Sequence, residues 1–262
     1  MKYPAFREEV QGHMLDILLS SPQDDYATIA KMMTQLYNVC MKILILAALD
    51  KEISILNQLI NAKQKNGFCL AKVKNNEIFT ALTGVGTLNA FVAAYSLLEK
   101  IHPDVVINIG TAGGHTLKIS DGDIIVCDEA IFHGGYIMSD APISSWNVIK
   151  ETELTIKGDE NLSKLFDLIK TDVSVHHGKT LSGDFFTKDK EVTKSLQSKY
   201  HHLCEDMETI AVYKVCKEKK IPAIAYRIIS NNELKGTLYE NNVYKANEKL
   251  QRLIAQLLSY FD

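Results

Sequence analysis

The sequence has no apolar run approaching the roughly 20 residues that cross a bilayer. Its first residues, MKYPAFREEVQGHMLDILLSS, contain acids and no clean apolar core, which argues against a signal peptide. Its five cysteines, Cys40, Cys69, Cys127, Cys204 and Cys216, are scattered and never in CxxC spacing. That argues against both a zinc ribbon and a disulfide framework, and leaves reduced thiols in a cytoplasm as the expectation. No strong charge of either sign is present: the net charge is −3, and basic runs such as Lys217, Lys219 and Lys220 are short. Such a field does not gather phosphates, so neither nucleic acid nor a membrane surface is an expected partner. Repeats, low-complexity tracts, Gly/Ser linkers and a Walker loop are absent. His133, His176 and His177 lack metal-ligand spacing with any nearby carboxylate and read as structural or solvated, so no metal is expected.

What is present is the composition of a globular protein, with 46% hydrophobic and 23% charged residues. Residues 1–40 read as a helical N-terminal extension, two short amphipathic helices joined at SPQDD, suited to packing or to an oligomer contact. From residue 41 to 262 the pattern alternates. KILILAA (42–48), DVVINIG (104–110), GDIIVCDEAI (122–131) and IPAIAYRIIS (221–230) are apolar runs suited to strands buried on both faces. GFCLAKV and EIFTALTGV resemble two strands joined at Lys74, Asn75 and Asn76. Residues 50–64, 87–101, 160–170, 190–200, 207–220 and 247–261 have helical patterns. The expected fold is α/β, a three-layer αβα arrangement.

Four stretches can carry chemistry. TGVG (83–86) and NIGTAGG (108–114) each follow an apolar strand, where glycines let backbone approach a ligand; an ordinary tight turn explains them equally. In CEDMETIAVYKVC (204–216), Asp206 can cap the helix, and a further carboxylate is free to accept two hydrogen bonds from a vicinal diol. Glu52 follows ILILAALDKE and by itself reads as an acidic helix start. LSGDFFT (181–187) places two phenylalanines outside a helix, one suited to a core and one to stacking on a flat ligand. The strand AYRIIS, with a buried arginine, ends at Ser230, Asn231, Asn232 and Glu233, and a strand end of this kind is a common place for chemistry.

MKILILAALDKE, INIGTAGG, GDIIVCDEA, LSGDFF, DMETIAVYKVC and IPAIAYRIIS occur in the order and approximate spacing of the 5′-methylthioadenosine/S-adenosylhomocysteine nucleosidases, which belong to the purine nucleoside phosphorylase superfamily. The resemblance covers about residues 41–260. It implies a nucleoside phosphorylase-like fold, a twisted mixed sheet with a small barrel-like centre. It also implies a homodimer whose neighbour closes the pocket, a small-molecule purine nucleoside as partner, and hydrolysis of the N-glycosidic bond without metal or organic cofactor. By matching motif positions, Glu52 is the carboxylate that activates water, and Glu208, preceded by Met207, holds the ribose hydroxyls. Arg227 positions the water and its acidic neighbours, with Glu52 or Glu208 as its charge partners. Phe186 stacks on the base and Thr187 offers backbone hydrogen bonds to the base edge. Thr111, Ala112 and Gly113 line the ribose and base site, beside Ser230. The superfamily's phosphorylases carry an arginine where this chain has Asn108, which favours water over phosphate as nucleophile.

The resemblance breaks at Asn231, where the nucleosidases have the aspartic acid that protonates N7 of adenine. An amide donates hydrogen bonds but not a proton. Three readings follow: a weakened or catalytically silent nucleoside-binding protein, a 6-oxopurine nucleoside hydrolase or phosphorylase, or Glu233 as a displaced acid. Residues 132–158 lack the family's aromatic- and glycine-rich segment, with Tyr136 or Trp146 as substitutes.

Overall fold

A computed structural model describes residues 40–133 and 155–261. The helices expected within residues 1–40, and Tyr136 and Trp146, lie outside the described residues. Residues 41–261 form one compact unit.

Its centre is a mixed sheet built on the apolar runs. Strand β1 (Lys42–Ala47) lies parallel between β4 (Asn76–Leu82) and β5 (Val105–Gly114). Burial on both faces explains why these strands read as continuous apolar runs rather than alternating ones. Strand β10 (Ala223–Asn232) runs parallel to β5 and antiparallel to β6 (Ile124–Phe132). From β6 the sheet continues through β8 (Val175–Ser182) to β9 (Cys204–Asp206), which pairs with β5 again. The circuit β5–β10–β6–β8–β9–β5 is closed, which gives the barrel-like centre.

Helix α1 (Ser54–Leu59) and the turn before it replace the single helix expected over 50–64. A left-handed Asn61 ends the segment, and Lys63–Lys65 (β2) pairs with Phe68–Val73 (β3) as a hairpin. Its two-residue loop is Asn66–Gly67, both at positive φ, the hairpin turn that this dipeptide favours. Thr155–Lys157 (β7) pairs with β6. Helix α2 (Thr87–Ile101) packs on α5 (Thr209–Lys219), and α1 packs on α6 (Tyr239–Leu257). Helices α3 (Glu160–Leu165) and α4 (Lys190–Tyr200) are N-capped by Asp159 and Asp189. Helix α3 stops at Leu165, short of the expected 170, and α6 starts at Tyr239, eight residues before the expected 247. The architecture is the expected three-layer α/β fold with a mixed sheet.

Candidate active site

The C-terminal ends of β1, β5, β9 and β10 meet around a cavity of about 510 Å³, within the usual size of ligand sites. Glu52, Thr111, Ala112, Gly113, Phe186, Met207, Glu208 and Ser230 all line it. Sequence-predicted residues more than 170 positions apart therefore share one wall.

Glu52 sits in the tight 3-10 turn Asp50–Glu52 that reverses the chain after β1. Its carboxylate is 5% exposed. One oxygen accepts from the Ala48 and Leu49 N–H groups at 3.2 and 3.1 Å. The other accepts from the Thr111 N–H and hydroxyl, both at 3.1 Å. Four donors fill the four acceptor positions of an ionised carboxylate. Gly110 makes this approach feasible: a Cβ there would lie 2.8 Å from Arg227 Nη1 and 3.2 Å from Glu52 Oε1. The glycine in NIG is thus the gap through which acid and guanidinium converge.

Arg227 is 1% exposed in the middle of β10. A buried cation needs a hydrogen-bonded counter-charge. Its nearest is Asp206, 3.3 Å from Nε, rather than Glu52 or Glu208 as the sequence suggested. Nη2 donates to Asn108 Oδ1 and, at 2.8 Å, to Thr209 Oγ1. Glu208 Oε2 stands 4.0 Å away. Asp206 is the hub. It caps α5 by accepting from the Glu208 and Thr209 N–H groups, and it accepts from the hydroxyls of Thr180, Ser182 and Thr209 as well. Burial alone would raise its pKa, but the Arg227 charge and these hydrogen bonds outweigh burial and hold it low.

Glu208 is aimed into the cavity and held by the Gly86 N–H at 3.0 Å. Burial pushes its pKa up to about 7, against the pull of Arg227 and with a push from Asp206. Asn108 is fully buried and spends its amide on Arg227 and the Leu46 carbonyl.

The other end of the cavity is different. The sheet register sets Asn231, Gly113 and Glu205 in a row across β10, β5 and β9. A β-bulge between Ile229 and Asn231 brings Asn231 opposite Gly113. A Cβ on Gly113 would meet the Phe186 ring at 3.8 Å and the Asn231 amide at 4.0 Å, so the missing side chain leaves a floor beneath the aromatic ring. Asp184 accepts from the Thr87 N–H at 2.7 Å and its hydroxyl at 2.6 Å, which ties the Phe185–Phe186 loop to the start of α2. Tyr239 meets Phe186 edge to face at 6.3 Å.

Asn231 itself is 1% exposed and does not line the cavity. Its Oδ1 accepts from the Ser230 hydroxyl at 3.0 Å, and its Nδ2 donates to Glu233 Oε1 at 3.2 Å. The strand runs on to Asn232, two residues past the polar boundary read from the sequence. Thr187, expected to offer its N–H to a base, donates both N–H (2.7 Å) and hydroxyl (2.8 Å) to the buried Glu205. His115 and His133 lie 3.6 and 3.9 Å from that carboxylate. Burial drives His115 to a pKa of about 4 and His202, bonded to it at 2.8 Å, to about 2, so both are neutral. Burial raises Glu205 in turn. Glu233, which the sequence offered as a displaced acid, lines the cavity, and so do Lys188, Glu205 and Tyr239, which sequence reasoning did not place there. Among the described residues, no three His, Cys, Asp or Glu side chains are grouped to hold a metal. His176 pairs with Asp123 and His177 with Asp167, away from the cavity.

Residues 42–259 match the model of the phosphorylase superfamily, so fold and site define a member of that class. Among curated relatives, a 5′-methylthioadenosine/S-adenosylhomocysteine nucleosidase of Bacillus pumilus is 31% identical over 206 residues, 73% of this chain and 86% of the relative. One of Geobacillus sp. is 28% identical over 205 residues, 73% and 85% of the two chains. The chain belongs to this nucleosidase family, a family of enzymes that hydrolyse N-glycosidic bonds. Solved structures agree in fold. The Helicobacter pylori 5′-methylthioadenosine/S-adenosylhomocysteine nucleosidase superposes with a TM-score of 0.74 at 22% identity, covering 84% of this chain and 98% of that one. A futalosine hydrolase from the same organism gives 0.74 at 22%, covering 84% and 97%.

Proposed function

We propose that the protein hydrolyses the N-glycosidic bond of purine nucleosides, with 5′-methylthioadenosine or S-adenosylhomocysteine as substrate, as its relatives' names indicate. The observation that carries this reading is the convergence of Glu52 and Glu208 on one nucleoside-sized cavity, with Arg227 buried outside its lining and 4.0 Å from Glu208.

In this reading each group has a task. Phe186, over the Gly113 floor, holds a flat base. Glu208, ionised, accepts from the ribose hydroxyls beside Met207. Glu52 takes the proton of a water aimed at C1′ while the C1′–N9 bond breaks. The Thr111 hydroxyl is the one rotatable donor on Glu52, so it is the contact that yields to that water. Arg227, neutralised by Asp206, keeps the two glutamates in place without presenting a free charge. Phosphate would meet the carboxylates of Glu52 and Glu208, and Arg227 is already spent on Asp206, whereas water meets no such repulsion.

The test is release of free base from each nucleoside with and without phosphate. Phosphate-independent adenine release is expected; strict dependence on phosphate would overturn the hydrolase reading, and nucleoside binding without any release would make the protein a silent binder.

We also propose a homodimer. Helix α2 exposes Leu88, Phe91, Val92 and Tyr95, a stripe at i, i+3, i+4 and i+7. It begins beside Val85, which lines the cavity, so a second copy on this stripe would cover the site. Light scattering should give twice the chain mass, and Phe91→Glu should give a monomer.

A further inference from the structure

Adenine is a poor leaving group as an anion, so its departure calls for a proton. Asn231 cannot give one, and it does not line the cavity. Four of the cavity's carboxyls are already engaged. Glu52 carries four donors, and Asp206 is locked to Arg227, the α5 N-terminus and three hydroxyls. Glu208 lies at the sugar end, on the Gly86 N–H. Glu205 has both oxygens on Thr187.

Glu233 remains. It is half-buried, lines the cavity, and one of its oxygens accepts the Asn231 amide at 3.2 Å. The local chain is built to place it there. Asn232, fully buried, anchors its Nδ2 to the Thr116 and Ile119 carbonyls at 2.9 and 3.0 Å. Its Oδ1 accepts from the Leu234 and Lys235 N–H groups at 3.1 and 3.3 Å, which turns the backbone sharply after β10. That turn folds Glu233 back over Asn231. The three polar residues thus divide the work: Asn232 turns the chain, Glu233 reaches the cavity, and Asn231 holds its carboxyl.

We propose that Glu233 is the proton donor to the departing base, with Asn231 as its positioning residue. The proposal rests on the hydrolase reading above. As C1′–N9 breaks, its electron pair stays with N9 and Glu233 gives its proton to N7, so adenine leaves neutral. Water oxygen bonds to C1′ and its proton passes to Glu52. One proton has moved from Glu233 to Glu52, and exchange with solvent restores both.

The test is Glu233→Gln assayed on 5′-methylthioadenosine and on 4-nitrophenyl riboside, whose leaving group departs without a proton. Adenine release should fall 10²- to 10⁴-fold, the usual worth of a general acid. Nitrophenolate release should change by no more than about threefold. Asn231→Ala, which removes the amide that holds the Glu233 carboxyl, should slow adenine release while nitrophenolate release stays within about threefold. Unchanged adenine release in Glu233→Gln overturns the proposal, and so does an equal loss on both substrates in either variant. Failure of the hydrolase reading looks different: the unmodified protein would then release no base from any nucleoside in the absence of phosphate.

Discussion

The two ends of the cavity are built differently. At the sugar and water end, Arg227, Asp206, Glu208 and Glu52 form a buried charge network in which nearly every donor and acceptor is matched. At the base end, an amide, a glutamate on a turn and a carboxylate bonded to backbone stand around an aromatic floor. The first end tolerates little change at Arg227 or Asp206, because removing either strands a buried charge. The second is built on hydrogen bonds at a strand end and a loop, where a side chain can change without stranding a buried ion pair. A fold can therefore keep one end of a cavity fixed while the other end varies.

Several substitutions sharpen or break this contrast. The largest effect should come from Arg227→Met. It leaves Asp206 buried and uncompensated, and should cost about 3–5 kcal/mol of stability in denaturant titrations. A loss under about 1 kcal/mol would show that the network is not held by charge. Next is Glu52→Gln, which should lower base release about 10²- to 10⁴-fold with substrate binding within a few-fold. Binding and turnover falling together would mean that Glu52 shapes the pocket instead.

Glu208 gives a smaller, pH-dependent effect. Its ordinary value is 4.5 and burial raises it to about 7 in the fold. The folded state therefore holds a proton between pH 4.5 and 7 that the unfolded chain has released. The penalty for its charge grows across that window and is complete above pH 7. Glu208→Gln should thus stabilise the protein by about 3 kcal/mol at pH 8 and by almost nothing at pH 4. It should also weaken nucleoside binding at pH 8, where the ionised acceptor is lost. A gain that is the same at both pH values would contradict the raised pKa. The smallest change is expected for Phe186→Ala. Base stacking is worth about 1–3 kcal/mol, so KM should rise roughly tenfold with kcat held within a few-fold.

The long apolar runs made most of the sheet legible, since strands buried on both faces announce themselves in composition. β9 did not. Three residues, Cys204–Asp206, are too few for any periodicity, yet they close the barrel. β2 was hidden inside a helical pattern, although Asn66–Gly67 carried the signal of its hairpin turn. Glu52, Glu208 and Arg227 were legible only through their motifs, because nothing local brings together residues of three separate elements. Asp206 read as a helix cap, which accounts for two of its bonds and not for those to Thr180, Ser182 and Arg227. Glu205 and Lys188 could not be placed, since their positions depend on how the LSGDFFT loop crosses the sheet.

The bulge in β10 has a wider implication. Without the extra residue, Ser230 rather than Asn231 would stand opposite Gly113, and the amide would swing to the far side of the sheet. Which of these consecutive polar side chains stands opposite Gly113 is thus a matter of phase along the backbone. An ancestor could have altered its chemistry by sliding one kink, with no new amino acid required.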